Sequence, residues 1–372
     1  MRNPLDPAKL QSALDAIHGA GLPGVFAEVR DRDRTWCGAA GFADLGTGRP
    51  ATPELRHRVG SVTKTCTAAA VLRQVECGAI DLDAPIAHYL PASVPGDRGA
   101  AITVRMLINH TSGLADYLPR AYPSLAALPD AANTTPKSLE DNRFTRFDRA
   151  ELIALGVSAP PVGPPGGAPG IYSNTNYLLL CQLLELVTGL SAEKYITAAV
   201  LEPAGLRDSE LPTGPEIAGL HSLHYESWFG MFDPPRDFSV FDMSWVGPAA
   251  SLISTVADLN RFYRLLLAGE VVGSASLAQM RHTGPVVAFD GTTIEYGLGL
   301  HRWTVPGLGV HWGHDGSAWG GGALSMISDD GHRQLSVVVN MQRWNRFDAA
   351  GRPQPHPIDH ALGAFTRVAL GG

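Results

Sequence analysis

The sequence has no Lys/Arg-rich run and no long hydrophobic run, and each of these absences argues against a class of protein. Arginine carries most of the basic charge, and the only lysines are Lys9, Lys64, Lys137 and Lys194, so a lysine in an apolar context carries extra weight. The net charge is −7 and no Lys/Arg-rich run is present, so the basic surface that nucleic-acid binding requires is missing. No apolar stretch approaches the roughly 20 residues of a membrane-spanning helix. We therefore expect neither a nucleic-acid partner nor a membrane span.

Cysteine is also scarce, and its spacing indicates neither a metal site nor a disulfide framework. No two cysteines are in CxxC spacing, and three lie within or beside apolar runs, as reduced core residues do. We predict no metal and no cofactor. The four are Cys37, Cys66, Cys77 and Cys181.

The first residues, MRNPLDPAKLQSALDAI, are a polar segment that leads into an amphipathic helix. A secretory leader would need a basic segment followed by an apolar one, and neither is recognisable here. We expect a cytoplasmic protein, unless a leader has been removed from the sequence.

The pattern along the chain predicts strands at both ends and helices between them. At 372 residues the chain can bury a substantial core. Strands are predicted on either side of a charged turn at 31–34 and again after about residue 295, with a hairpin at 329–334. A helix is predicted over 61–77 and further helices follow it, without an internal repeat. These signals indicate an α+β fold whose antiparallel sheet is discontinuous in sequence.

The segment VGSVTKTCT at 59–67 places Ser61 and Lys64 three positions apart at the start of a predicted helix. Residues i and i+3 share one face of a helix, so the Lys amine can reach the Ser hydroxyl. A serine hydroxyl is a weak nucleophile until a base takes its proton, and burial lowers the pKa of a lysine toward that role. The spacing alone is not specific, because Ser191 and Lys194 repeat it. There we predict that Ser191 is a surface N-cap.

Two further polar motifs occur later in the chain. Tyr172-Ser173-Asn174 follows a Pro/Gly-rich segment at 158–170, and HDGS begins at His314 on a predicted strand. The motifs GxSxG, GxxxxGK[ST] and HExxH are missing, and nothing in the sequence indicates a Ser-His-Asp triad.

In their order and approximate spacing, the motifs SxxK, YxN and [K/H]-x-G resemble those of the penicillin-recognising serine enzymes. This superfamily includes class C β-lactamases, D-alanyl-D-alanine carboxypeptidases and related esterases, amidases and acyltransferases. A third motif that opens with His is most similar to that of the actinobacterial D-alanyl-D-alanine carboxypeptidase. The flanking segments RVGSVTKTCTAA, ITVRMLINHTSGL, YSNTNY, ISTVADLNRF and YGLGLHR agree, so the resemblance covers roughly residues 20–345.

The resemblance implies a β-lactamase/transpeptidase-like α+β fold, in which an antiparallel sheet is flanked by helices and an all-helical lobe is inserted. The chain, 1–372, would form a single catalytic unit. Its α/β lobe would comprise approximately residues 1–60 and 250–372, and its helical lobe approximately residues 61–249.

The resemblance also implies roles for the site residues. Ser61 would become acylated, and Lys64 would be a base or proton relay. Tyr172 would pass the proton to the leaving group and later activate water or another nucleophile. His314 would be a polar or cationic wall. The implied substrate-binding and oxyanion-hole residues are Asn174, which would also contact the Lys, Ser317 with its backbone N–H, Gly316, Asp315, His301, and Trp245, which is either a pocket wall or a core residue.

Two positions depart from the carboxypeptidase pattern where a C-terminal carboxylate would bind. Directly after YGLGL that enzyme has Arg, whose fork suits a carboxylate, and this chain has His301. In the third motif that enzyme has Thr, and Asp315 here adds a negative charge. Both changes argue against D-Ala-D-Ala as the substrate.

We therefore predict a serine hydrolase that forms an acyl-enzyme with an amide, a peptide or an ester, in the manner of carboxypeptidases, esterases and amidases. One alternative is an acyltransferase, transacylase or peptide cyclase of secondary metabolism. A second alternative is a slowly deacylating sensor that binds β-lactams. The expected partners are a small-molecule or peptide acyl substrate and, for transfer, an amine or alcohol acceptor. The sequence indicates no oligomeric state.

Overall fold

The computed structural model describes residues 3–126, 135–342 and 354–372. The described helices are α1 (Pro7–Gly19), α2 (Thr63–Glu76), α3 (Ile86–Tyr89), α4 (Gly96–Ala101), α5 (Val104–Ile108), α6 (Leu118–Ala121), α7 (Pro123–Ala126), α8 (Lys137–Asp141), α9 (Arg149–Ser158), α10 (Asn174–Thr188), α11 (Ala192–Ile196), α12 (Val256–Leu267), α13 (Ser274–Met280) and α14 (Pro357–Ala369). The described strands are β1 (Gly24–Asp31), β2 (Arg34–Asp44), β3 (Arg49–Pro50), β4 (His57–Arg58), β5 (Gly170–Ile171), β6 (Tyr225–Glu226), β7 (Arg236–Asp237), β8 (Ile253–Ser254), β9 (Gly284–Val287), β10 (Thr293–Tyr296), β11 (His301–Val305), β12 (Gly309–Ala318), β13 (Gly321–Ser328), β14 (Arg333–Val339) and β15 (Met341–Gln342).

The main sheet has ten strands in the order β3-β2-β1-β14-β13-β12-β11-β10-β9-β5. Its described pairings are antiparallel, except that β5 runs parallel to β9. At its centre β1 pairs with β14, with Val25 opposite Val339, so early and late parts of the chain are neighbours. The predicted sheet, antiparallel and discontinuous in sequence, is confirmed.

Strand β1 is buried on both of its faces because helices cover the sheet on each side. Val25, Ala27 and Val29 belong to one hydrophobic cluster together with residues of α1 and α14. Phe26 points the opposite way, as alternation along a strand requires, into a larger cluster that includes α2, α10 and α12. A sheet flanked by helices is the arrangement that the family resemblance implied.

The segment 61–249, predicted as the helical lobe, contains α2 to α11. At its centre α10 is fully buried over residues 177–181. The segment also includes the short strands β5, β6 and β7, and β5 adds to the edge of the main sheet beside β9. This pairing holds the start of α10 against the sheet. The division of the chain into two lobes stays a prediction.

Side-chain caps define the starts of several predicted helices. Thr255 accepts a hydrogen bond from the backbone N–H of Asp258 at the start of α12, and Asp148 accepts one from Glu151 at the start of α9. Ser191 caps α11 in the same way, which confirms the surface N-cap predicted there.

The predicted helix at 61–77 begins slightly later than expected. A short 3₁₀ turn, Gly60–Val62, precedes α2, and Ser61 lies in that turn. The helix ends as predicted, because Gly78 follows its C-cap with a φ of +75°, a conformation that glycine adopts without strain. Within the described residues, no helix has both the length and the apolar character needed to cross a bilayer.

Candidate active site

Lys64 lies in the first turn of α2 with its amine beside Ser61. Its Nζ is 3.0 Å from Ser61 Oγ, 2.7 Å from Asn174 Oδ1 and 2.9 Å from the carbonyl oxygen of Ala249. The side chain is fully buried, and this burial lowers the pKa of Lys64 to about 7, although Asp116 and Asp315 oppose the shift. A neutral amine has two N–H donors and one lone pair. The two carbonyl oxygens take the donors, and the lone pair is left for the Ser61 hydroxyl.

Tyr172 and Asn174 lie where β5 passes into α10. Asn174 is the first residue of α10, and its contact with Lys64 is the one that the resemblance implies. The Tyr172 ring centroid is 5.0 Å from Lys64 Nζ. Burial raises the pKa of Tyr172 well above its ordinary value, and the nearby Ser61 side chain lowers it only in part. Tyr172 is therefore a neutral phenol. By hydrogen-bond geometry its buried hydroxyl has no partner among the described residues, and the Ser61 side chain is the neighbour that lowers its pKa.

His314 is a neutral side chain with both ring nitrogens engaged. Its Nε2 is 2.9 Å from the Tyr296 hydroxyl, and its Nδ1 contacts the backbone carbonyl of Asp315. A carbonyl can only accept, so Nδ1 carries the proton and Nε2 accepts from Tyr296. Burial lowers the pKa of His314 to about 4. Of the two expected roles, a polar wall therefore fits this geometry at neutral pH.

The backbone segments that carry the N–H groups of Ser61 and Ser317 are in direct contact. A Cβ on Gly60 would lie 2.4 Å from the backbone nitrogen of Ser317, and a Cβ on Gly316 would lie 2.4 Å from that of Ser61. Gly60 also has a φ of +56°, in the left-handed region. Both glycines are thus needed for this approach, and the oxyanion hole that these two N–H groups would form stays a prediction.

Asp315 and His301 are neighbours on the strand pair β11–β12. The Asp315 side chain is 64% exposed, and its Oδ1 is 3.5 Å from His301 Nδ1. His301 is buried, and its ring lies against Trp303 at 3.8 Å between centroids. β11 pairs with β12 only over 309–313, so residues 314–318 form a strand edge that extends past β11.

Trp245 lies in a buried aromatic cluster. Its ring stacks on Trp319 with centroids 5.1 Å apart and meets the edge of Tyr122 at 5.8 Å. Its backbone carbonyl accepts a hydrogen bond from the Tyr117 hydroxyl. By burial it is a core residue, and its place in an acyl pocket stays a prediction. Across the described ranges, no group of three or more His, Cys, Asp or Glu side chains could hold a metal ion.

A family model for beta-lactamases matches residues 10–356. The chain belongs to the beta-lactamase family. The superfamily and the β-lactamase/transpeptidase-like fold predicted from the sequence are thereby confirmed.

Three relatives in this family cover nearly the whole chain. A D-aminopeptidase of Cereibacter sphaeroides is 30% identical over 90% of this chain, which spans only 60% of that protein. Penicillin-binding protein 4 of Amycolatopsis lactamdurans is 28% identical, and the match covers 99% of each protein. Among solved structures, a D-stereospecific amidohydrolase from Streptomyces sp. superposes with a TM-score of 0.78 at 33% identity, covering 90% of this chain and 94% of that one.

The structure adds two site residues that the sequence did not indicate. Asp116 accepts hydrogen bonds from the backbone N–H groups of Asn174 (2.5 Å) and Leu118 (2.8 Å), and it acts electrostatically on Lys64. Burial raises its pKa to about 6. The His110 ring stacks on the Tyr172 ring, with 4.0 Å between the two centroids. Both residues lie in the segment NHTSGLADY, which carries no recognisable catalytic spacing; only its part up to Leu114 belongs to the flanking segments that resemble the family.

Proposed function

We propose that the chain is a serine hydrolase that cleaves amides, peptides or esters through an acyl-enzyme on Ser61. The observation that carries this proposal is the set of three contacts around Lys64. Two carbonyl oxygens occupy its N–H donors, and the remaining position is 3.0 Å from the Ser61 hydroxyl. With its pKa near 7, Lys64 is available as a general base at neutral pH.

In the acylation step Ser61 Oγ attacks the substrate carbonyl carbon while its proton passes to Lys64 Nζ. The carbonyl π pair moves onto the oxygen, which the backbone N–H groups of Ser61 and Ser317 stabilise. The bond to the leaving nitrogen or oxygen then breaks. Its electron pair takes a proton from the Tyr172 hydroxyl, and Tyr172 is reprotonated from Lys64. Tyr172 starts as a neutral phenol, so it is suited to give a proton rather than to remove one.

Deacylation runs through the same groups in reverse. Water takes the place of the leaving group, Tyr172 and Lys64 receive its proton, and Ser61 Oγ recovers one as the acid departs. No further base is required, since these groups account for every proton transferred in the cycle.

Amides and peptides of D-amino acids come first among the proposed substrates. A D-aminopeptidase and a D-stereospecific amidohydrolase are both 30% or more identical to this chain over 90% of its length. Those names describe the relatives, and they support D-amino-acyl groups as the acyl part of the substrate proposed for this chain.

The first test is intact-mass measurement after treatment with a fluorophosphonate. We expect one adduct on the wild type and on Ser191→Ala, and no adduct on Ser61→Ala. Ser191→Ala is the matched control because Ser191 repeats the SxxK spacing but is an exposed N-cap. An adduct that survives Ser61→Ala would contradict the proposal.

The second test is a substrate panel of D- and L-phenylalanine amide and p-nitrophenyl acetate, with and without an added amine. We expect free acid as the product, with the D-amide preferred over the L-amide. Acyl product on the amine in preference to free acid would instead identify an acyltransferase. An adduct that neither hydrolyses nor transfers would identify a slowly deacylating sensor.

A further inference from the structure

The carboxylate of Asp315 lies on the leaving-group side of the proposed acyl-enzyme site. Two positions further along β12, the backbone nitrogen of Ser317 reaches Gly60 at the oxyanion end of the site. A strand rises about 3.3 Å per residue, so Asp315 is displaced from that end by about 7 Å. The displacement is toward His314, whose partner Tyr296 contacts the Tyr172 ring edge-on at 6.0 Å. Tyr172 is the proposed donor to the leaving group.

In the part of the chain that the structure describes, no lysine or arginine side chain forms an ion pair with this carboxylate. Among the described residues its ion-pair partners are the imidazoles of His301, at 3.5 Å, and His314, at 3.8 Å. His314 is neutral because burial lowers its pKa. The Asp315 side chain is 64% exposed, so a leaving group entering along residues 314–318 would meet its negative charge.

We propose that Asp315 determines the leaving-group specificity of the site, rejecting leaving groups that end in a carboxylate and favouring neutral or cationic ones. This inference rests on the proposed hydrolase function. A free C-terminal carboxylate would be placed beside a like charge that, among the described residues, no arginine or lysine offsets through an ion pair, whereas an ammonium group would gain an ion pair. The substrates are then amides, esters or internal peptide bonds, and removal of a C-terminal amino acid is disfavoured.

The test is a charge series on the leaving group with one constant acyl group, D-phenylalanyl or whichever acyl group the panel above shows to be preferred. The three substrates are the conjugate with D-alanine, which is anionic, with D-alanine N-methylamide, which is neutral, and with 1,2-diaminoethane, which is cationic. Release of the acyl acid is followed by chromatography at about pH 8, where an ordinary imidazole is neutral.

For the wild type we expect kcat/KM to rise from anion to neutral to cation, by about tenfold between the first two. In Asp315→Asn that ratio falls to about threefold or less, mainly because turnover of the anionic substrate rises. The hydrogen bond from His314 is kept, since it goes to the backbone carbonyl of Asp315. Asp315→Thr is the second variant, and Asp33→Asn removes an exposed charge from the β1–β2 turn as a control.

Salt gives an independent measurement. At about 0.5 M NaCl the ratio of kcat/KM for the neutral substrate to kcat/KM for the anionic substrate falls in the wild type, while the same ratio stays constant in Asp315→Asn. A purely structural role for Asp315 would lower kcat/KM for all three substrates equally and leave the ratio unchanged. An unchanged ratio in variants that still turn over the neutral substrate would overturn the inference. Failure of every substrate together with loss of Ser61 labelling would instead contradict the proposed function.

Discussion

Two opposing effects, burial and nearby negative charge, determine the pKa of Lys64. Burial removes the ammonium ion from water and lowers the pKa to about 7, whereas the carboxylates of Asp116 and Asp315 raise it. We therefore expect the rate of Ser61 labelling by a fluorophosphonate to rise with pH, with a midpoint near 7. Below that pH the amine carries a proton and cannot accept the one on Ser61.

Asp116→Asn should move this midpoint to lower pH by about one unit. Removing a negative charge destabilises the Lys64 ammonium, so its pKa falls further. The amide oxygen can replace one carboxylate oxygen, but its NH₂ cannot accept from Asn174 or Leu118, so stability should fall by about 1–2 kcal/mol. The measurement is the labelling rate between about pH 5 and 9, with Asp15→Asn on the exposed face of α1 as the control. A midpoint that stays in place or rises would contradict this account.

At the scale of elements, the contact between the turn before α2 and strand β12 depends on glycine. We expect Gly60→Ala to reduce Ser61 labelling by about a hundredfold and to lower the free energy of unfolding by about 1–3 kcal/mol. Its φ is +56°, and its new Cβ would lie 2.4 Å from the Ser317 nitrogen, so β12 must move away from Ser61. Labelling rates and urea denaturation measure the two effects.

Gly78→Ala provides the matched comparison at the other end of α2. Gly78 has a similar positive φ of +75°, but a Cβ there would meet no atom within 4 Å. Gly78→Ala should lower the free energy of unfolding by about 1 kcal/mol and leave the rate of Ser61 labelling unchanged. Equal loss of labelling in both variants would show that backbone strain, rather than the approach to β12, is responsible.

For the whole molecule, the buried amine makes stability dependent on pH. A lysine in the unfolded chain has a pKa of about 10.4, and Lys64 in the folded chain has one of about 7. Between these values the unfolded chain binds more protons, so the free energy of unfolding rises with pH. It should rise by at most about 1.4 kcal/mol per pH unit from this group.

Lys64→Met removes the titrating group, so the stability of the wild type relative to this variant should grow between about pH 7 and 10 and be flat below pH 7. Urea denaturation at constant ionic strength measures the difference, with the exposed Lys9→Met as control. A difference that does not change with pH would show that Lys64 is protonated in the folded chain.

Features that depend on neighbouring residues in the chain could be predicted from the sequence, whereas contacts between distant residues could not. Ser61, Lys64 and Asn174 could be predicted because each lies in a motif whose spacing resembles that of a family, and Ser191 because capping is local. Asp116 could not, since a lone Asp in a loop has the pattern of a turn residue. Only the fold brings it to Lys64, 52 positions earlier in the chain. The neutral state of His314 likewise depends on its burial, which no spacing predicts.

The pairing of β1 with β14 has a consequence for synthesis on the ribosome. β1 and β2 precede β14 in the chain by about 300 residues, yet the central neighbour of β1 is β14, with Val25 opposite Val339. The edge of β1 that pairs with β14 therefore stays open until residue 339 has left the exit tunnel. Loop closure over such a separation is slow, and transiently exposed strand edges are prone to aggregation. The nascent chain is thus expected to need chaperone protection until β14 has emerged, and Ser61 to become reactive only after that.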